Sequence, residues 1–314
     1  MKIILNVALL TTVLLTFFTS CTSSSDNVLA PEDIAPSQKL YDVSLTFSSS
    51  DFTFRTRDIT TRAVTSEIPD HLNRLSLKVF DADGGVVTTL SQKRESLADN
   101  ETFGTLALKL PAGDYTFVAV LHELPSNKLE LSSASITSPT EATLPSSRIY
   151  DTYCCVQPTT ITSSADQSLT LALGTRINAQ FRLETLDAVP DDISSIYVIV
   201  NPDAAKVPDQ PTFNPTTGLA SGSWQYGVNL TATSGLPFDR SFSVLQNADP
   251  QITTGELRPV TTSSQYATQY QRTLESVTLQ RNYQTHAVGY LFGQEITTNF
   301  TLDTTLAGDI SYNF

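Results

Sequence analysis

Cysteine is nearly absent: three in 314 residues, and two of them, Cys154 and Cys155, are adjacent. No disulfide framework is available, so any fold here must rest on its hydrophobic core. In a strand, adjacent side chains point to opposite faces, which places this pair badly for a normal disulfide. One buried and one more exposed thiol is the expected arrangement, and a strained vicinal disulfide is the alternative. Histidine is equally scarce. His71, His122 and His286 lie far apart and near no cysteine pair, so no zinc spacing exists. Cations are few, 19 Lys+Arg against 32 Asp+Glu, and the formal net charge of −13 argues against a nucleic-acid partner. Charged residues of all kinds make up only 16%, while Ser and Thr are abundant. That composition suits strands and short polar turns better than helices.

Catalytic signatures are missing too. The chain has no GxSxG elbow, no phosphate-binding glycine loop and no Ser/His/Asp cluster, and it is read as a non-enzyme without cofactor or metal. "DADGG" starts like a calcium loop at Asp81 and Asp83, but Gln92 stands where the closing acid belongs, so it reads as a hairpin turn.

What is present begins with a targeting segment. Lys2 precedes the apolar run "IILNVALLTTVLLTFF", and "FTSC" places small residues before Cys21. This resembles a bacterial lipobox, which makes residues 1–20 a signal peptide and Cys21 the lipidated first residue of the mature protein. An ordinary signal peptide cut near the same place is the alternative. Residues 21–37 then read as a lipidated tether, proline-bearing and without periodicity.

Strand patterns follow to the end. "YDVSLTF" alternates Tyr41, Val43, Leu45 and Phe47. Leu75–Leu90 reads as a hairpin through "DADGG", and "TLALKL" with "YTFVAVL" as a second hairpin around Gly113. "DDISSI" fits a single helical turn, and Pro202–Pro215 a loop. "SSADQ" is the most economical boundary. The expected architecture is all-β, with two β-sandwich domains in tandem at 38–163 and 164–314.

Two local features invite a function. Arg55, Arg57 and Arg62 crowd into "DFTFRTRDITTRA", in a chain poor in cations. A solvated turn, a patch for an acidic partner, and a site meant to be cut all fit. Trp224 and Tyr226 in "GSWQYG" share a strand face, which fits a platform for sugar rings or a core position beside a sheet edge.

The order of "VSLTF", "TTRA", "LNRLSLKVFDADGG" and "LKLPAGDYTFVAVL", followed by "LTLALGTRINAQFRLETLDAVPDDISSIYVIVNP", resembles the fimbrial subunit and anchor lipoproteins of Bacteroidales bacteria. The resemblance spans nearly the whole mature chain. It implies two transthyretin-like (immunoglobulin-like) sandwiches, a lipid on Cys21 at the outer membrane, and assembly with other fimbrial subunits at the cell surface. In polymerising members, an arginine-specific protease cuts after the first strand, and a neighbour's strand fills the vacated groove. Anchor members keep the lipid. Arg62–Ala63 is then the first choice for the cut, with Arg57 and Arg55 as second choices. The alternating C-terminal stretch with Ile310, Tyr312 and Phe314 is the candidate donor strand, or simply the last strand of its own domain. The competing function is a surface glycan-binding lipoprotein of a polysaccharide-uptake system.

Overall fold

The computed structural model describes residues 38–49, 68–174 and 176–293, together with the backbone of 301–306. The first strands are β1 (Leu40–Ser48), β2 (Leu72–Asp81), β3 (Val86–Lys93), β4 (Leu106–Pro111) and β5 (Gly113–Glu123). Next come β6 (Ser135–Ser138), β7 (Glu141–Thr143), β8 (Thr152–Ile161), β9 (Gln167–Ala172) and β10 (Ala179–Ala188). The chain continues with β11 (Ile193–Val200), β12 (Ala205–Lys206), β13 (Thr212–Asn214), β14 (Leu219–Ala220) and β15 (Trp224–Thr231). The last are β16 (Pro237–Val244), β17 (Gln251–Thr261), β18 (Arg272–Leu279), β19 (Tyr283–Gly289) and β20 (Thr301–Leu306). Among the described residues there is no α-helix, and the protein is all-β.

Two sheets carry the first half. One has the order β4-β1-β9 and the other β3-β2-β5-β8. They share a core in which Val43, Leu45 and Phe47 meet Leu75, Leu77, Val79, Phe117, Ala119 and Leu121. β1 shows the period of a half-buried strand: Tyr41, Val43, Leu45 and Phe47 are buried, and the residues between them face outward. β2 and β5 do not alternate, because both faces of their sheet are covered. Their second face, with Phe80, Val118 and Val120, joins a larger cluster.

That cluster runs through Ala134, Ile136, Ala142 and Phe213 of the small sheet β14-β13-β7-β6 and its approach. It continues into the second half, where β16-β10-β19-β20 and β12-β15-β11-β17-β18 enclose Phe181, Leu183, Val198, Phe242 and Leu257. The described residues from Lys39 onward accordingly fall in one compact unit.

The "DADGG" hairpin forms as expected. Asp81 Oδ1 accepts from Asp83 N at 3.0 Å and Gly85 N at 2.7 Å, and Gly84 takes φ +82°. One oxygen of that carboxylate is thus committed to the turn, and the described residues contain no group of three metal-ligating side chains.

Several expectations are corrected. β4 and β5 are not a hairpin: β4 pairs with β1, and the turn before Gly113 carries the chain between sheets. Pattern reading joins strands that are close in sequence, whereas here the shared core puts them on opposite layers. β9, expected in the second domain, pairs in parallel with β1 and belongs to the first pair of sheets. "DDISSI" opens the strand β11 rather than a helical turn, and Pro202–Pro215 contains the short strands β12 and β13. Cys154 and Cys155 do point to opposite faces, yet both are buried, because β8 has a core on each side. Neither forms a disulfide, and burial pushes both thiols up to about 12.

Candidate functional site: the seat of the first strand

β1 is the middle strand of its sheet, and its neighbours run in different directions. β4 is antiparallel, with Leu45 opposite Leu106 and Tyr41 opposite Leu110. β9 is parallel, with Leu45 opposite Leu169 and Phe47 opposite Leu171. A parallel partner brought in by a long crossover means that β1 is joined to its sheet by pairing rather than by a tight turn. Its hydrophobic row lies on a floor of Leu75, Leu77, Val79 and Phe117, with Tyr153, Leu171 and Leu173 in the same core.

Polar contacts fix the register. Lys109 Nζ meets Asp42 at 2.8 Å, and Asp42 N donates to Asp166 Oδ1 at 3.0 Å. The hydroxyls of Thr46 and Thr170 lie 3.1 Å apart, and Leu173 N donates to Ser48 O at 2.8 Å. Removing β1 would strip two flanking strands of backbone partners and open an apolar trough. An edge of that kind is a template for another extended chain.

The segment that leads into β2 begins at Ile68, and Arg94 holds it in place. Arg94 Nη2 donates to Ile68 O and Pro69 O, both at 3.1 Å, and Nε donates to Leu72 O at 3.3 Å. Its guanidinium stacks over Phe103 at 4.4 Å. The floor is therefore anchored independently of β1. Sequence reading missed this role for Arg94, since one basic residue after a strand carries no distinguishing pattern.

It also missed a buried polar seam. Asp151 (1% exposed) pairs with Arg176 (4%) at 2.9 Å, and His71 Nε2 approaches the same carboxylate at 3.4 Å. Burial opposes the Asp151 charge, but Arg176 and His71 more than offset it and hold the carboxyl below the usual range. Glu123 lies alongside. Burial, and then the Asp151 charge, push its carboxyl up to about 7. Arg176 sits in the link between β9 and β10. Arg182 is in β10 and donates two bonds to Asp239, at 2.8 and 2.7 Å.

Cys21, Arg55, Arg57, Arg62, Ala63, Ile310, Tyr312 and Phe314 lie outside the described residues. β20 pairs antiparallel with β19 and forms the outer strand of its sheet. The Trp224–Tyr226 platform is not formed. Tyr226 is in the core at 4% exposure, its hydroxyl accepting from Leu245 N at 3.2 Å, and Trp224 packs partly buried against the same cluster. The shared strand face turned inward because it covers Phe242 and its neighbours.

A family model described as fimbrillin-A associated anchor proteins Mfa1 and Mfa2 matches residues 39–304. The chain belongs to that family. The match takes in all of the described strands except the last two residues of β20. Among solved structures, a protein described as a candidate adhesin from Bacteroides thetaiotaomicron is 12% identical, with a TM-score of 0.51 over 87% of this chain and 99% of that one. The fimbrial anchor protein Mfa2 from Porphyromonas gingivalis is 12% identical, with a TM-score of 0.46 over 86% of this chain and 100% of that one. A fimbrial assembly protein from Parabacteroides distasonis is 14% identical, with a TM-score of 0.49 over 86% and 100%. No curated protein matches the chain. The family is described as one of fimbrial anchor proteins.

Proposed function

We propose that this Mfa1/Mfa2-family chain is a structural or anchor subunit of a cell-surface fimbria, exported as a lipoprotein through Cys21 and assembling with other fimbrial subunits by strand exchange. The observation that carries the reading is the seat of β1: a middle strand with four buried side chains in a row, over a floor held in place by other residues. Such a strand is removable in a way that β2 or β5, packed on both faces, is not. The proposed architecture is two transthyretin-like sandwiches in tandem. Their division falls after β9 rather than at 163/164, because β9 pairs with β1. In a structural subunit the proposed cut lies at Arg62–Ala63, with Arg57 and Arg55 behind it, and releases lipid and β1 together, whereas an anchor keeps both; the proposed donor carries Ile310, Tyr312 and Phe314. The glycan-binding reading loses its support, since Tyr226 has no face to offer a sugar.

The N-terminal residue of the protein isolated from cells tests the reading directly. An acylated Cys21 start identifies the anchor form, and Ala63 identifies a processed subunit. In vitro, an arginine-specific protease should cut between Arg55 and Ala63 before Arg176 or Arg182, which are held in ion pairs. Trimmed protein that binds a peptide of residues 301–314 supports strand exchange. Resistance of the Arg55–Ala63 stretch, or trimming that leaves the seat unable to take a strand, overturns it.

A further inference from the structure

β15 is flanked on one side by β11 and on the other only by β12, which pairs with Trp224 and Gln225. Among the described residues, the rest of β15 faces no strand on that side. Which backbone groups point outward follows from the register. Ala232 N donates to Ser194 O at 3.0 Å, and β11 and β15 run antiparallel with Ser195 opposite Thr231. Hydrogen-bonded pairs alternate along such a ladder, so Leu230, Val228 and Tyr226 bond to β11. Gly227, Asn229 and Thr231 therefore aim their N–H and C=O groups away from the sheet. Gln225, next in that series, sends its carbonyl to Val207 N at 3.1 Å, as the alternation requires.

The same three residues are exposed. From Trp224 to Thr231 the strand has no charge and no proline. Natural edges are normally blunted by one or the other. Among the described edge strands most carry one: β3 carries Lys93, β4 Lys109 and Pro111, β8 Pro158, β12 Lys206, β16 Pro237 and Asp239, β18 Arg272 and β20 Asp303. β6 and β14 are four residues or shorter, and β9 is capped where Ala172 N donates to Gln157 Oε1. Among the described strands, β15 beyond its pairing with β12 is an open stretch, Gly227–Thr231, without such a device. Tyr197 reaches across Gly227 from β11 and fills the space that a side chain at that position would need.

We propose that β15 is a homodimerisation edge, where two copies pair antiparallel about a two-fold axis at Asn229. The segment is self-complementary. Asn229 faces the partner's Asn229, Gly227 faces the partner's Thr231, and every outward donor meets an acceptor. An isologous contact sets identical surfaces against each other, so any charge on the line would meet its own kind; none is there. The surroundings favour a second copy as well. The cavity of about 250 Å³ beside the edge is lined by Arg148 and by no carboxylate. In a chain of net charge −13, this is a stretch where two copies approach without acids facing acids.

The test uses the full chain in membranes. Asn229→Cys places two thiols on paired strands at a Cα separation of roughly 5.5 Å, within disulfide reach. Cys154 and Cys155 are buried and do not compete. Asn229→Cys should form a covalent dimer roughly tenfold faster or more than Ile252→Cys, an equally simple exposed site at 70% exposure, because pairing raises the effective thiol concentration. Adding Thr231→Pro removes an outward N–H and no bond to β11, and it should abolish that advantage. Thr231→Lys serves as the check if the proline variant fails to fold. Equal crosslinking at 229 and 252 overturns the proposal, as does crosslinking at 229 that survives both changes at 231.

Discussion

Sheets β4-β1-β9 and β3-β2-β5-β8 share one core, yet they are built on different terms. The first has one face in the core and one in water, so β1 alternates strictly and contributes only one row of side chains. The second is covered on both faces, so β2 and β5 carry buried residues almost without interruption. A strand of the first kind can leave and expose one trough, while a strand of the second kind cannot leave without opening two cores. The contrast separates a strand that holds one core from strands that hold two, and the proposed exchange draws on the first kind.

Shaving β1 gives the largest effect and the sharpest check of that contrast. Phe47→Ala should cost about 3–5 kcal/mol, since the side chain is 2% exposed and leaves a cavity. Trp224, the only tryptophan, reports on the second half of the chain. If the two halves respond separately, the midpoint by circular dichroism falls while the Trp224 fluorescence midpoint holds. Equal falls in both would mean that the continuous cluster through Phe80 and Phe213 makes one cooperative unit, and the separability of the first layer would be lost.

Breaking the seam comes next. Asp151→Ala leaves Arg176 buried without its carboxylate, and loss of one partner from a buried pair costs about 3–5 kcal/mol at the upper end and less where neighbours relax. Because Asp151 precedes β8 and Arg176 precedes β10, this change should move both midpoints together in urea unfolding. A shift confined to one half would show that the seam does not couple them.

The smallest effect is a slope with pH. Glu123 has its folded value raised to about 7 from an ordinary 4.5, so its contribution is fully present below about 4.5 and is lost as pH rises through 7. Asp151 is shifted the other way, and its contribution is lost as pH falls. Glu123→Gln should therefore flatten the decline between 4.5 and 7 and leave the variant more stable than the parent above 7. Unfolding midpoints that keep the parental slope would refute the assignment.

The alternation of Tyr41, Val43, Leu45 and Phe47, the "DADGG" turn and the all-β character were legible from the sequence, because period-two burial and turn chemistry are local. The order of motifs led to the family for the same reason: each is a short stretch whose pattern survives in one dimension. Which sheet a strand joins was decided only in three dimensions. β4 pairs with β1 and not with the adjacent β5, and β9 returns to lie beside a strand more than a hundred residues earlier. The second thiol of the Cys154–Cys155 pair is buried because another layer covers it, and no local pattern encodes a layer. Arg176 with Asp151, and the inward turn of Tyr226, belong to the same class. Each depends on what arrives from elsewhere to fill the far side of a sheet, and a single strand's sequence records its own two faces but not what will cover them.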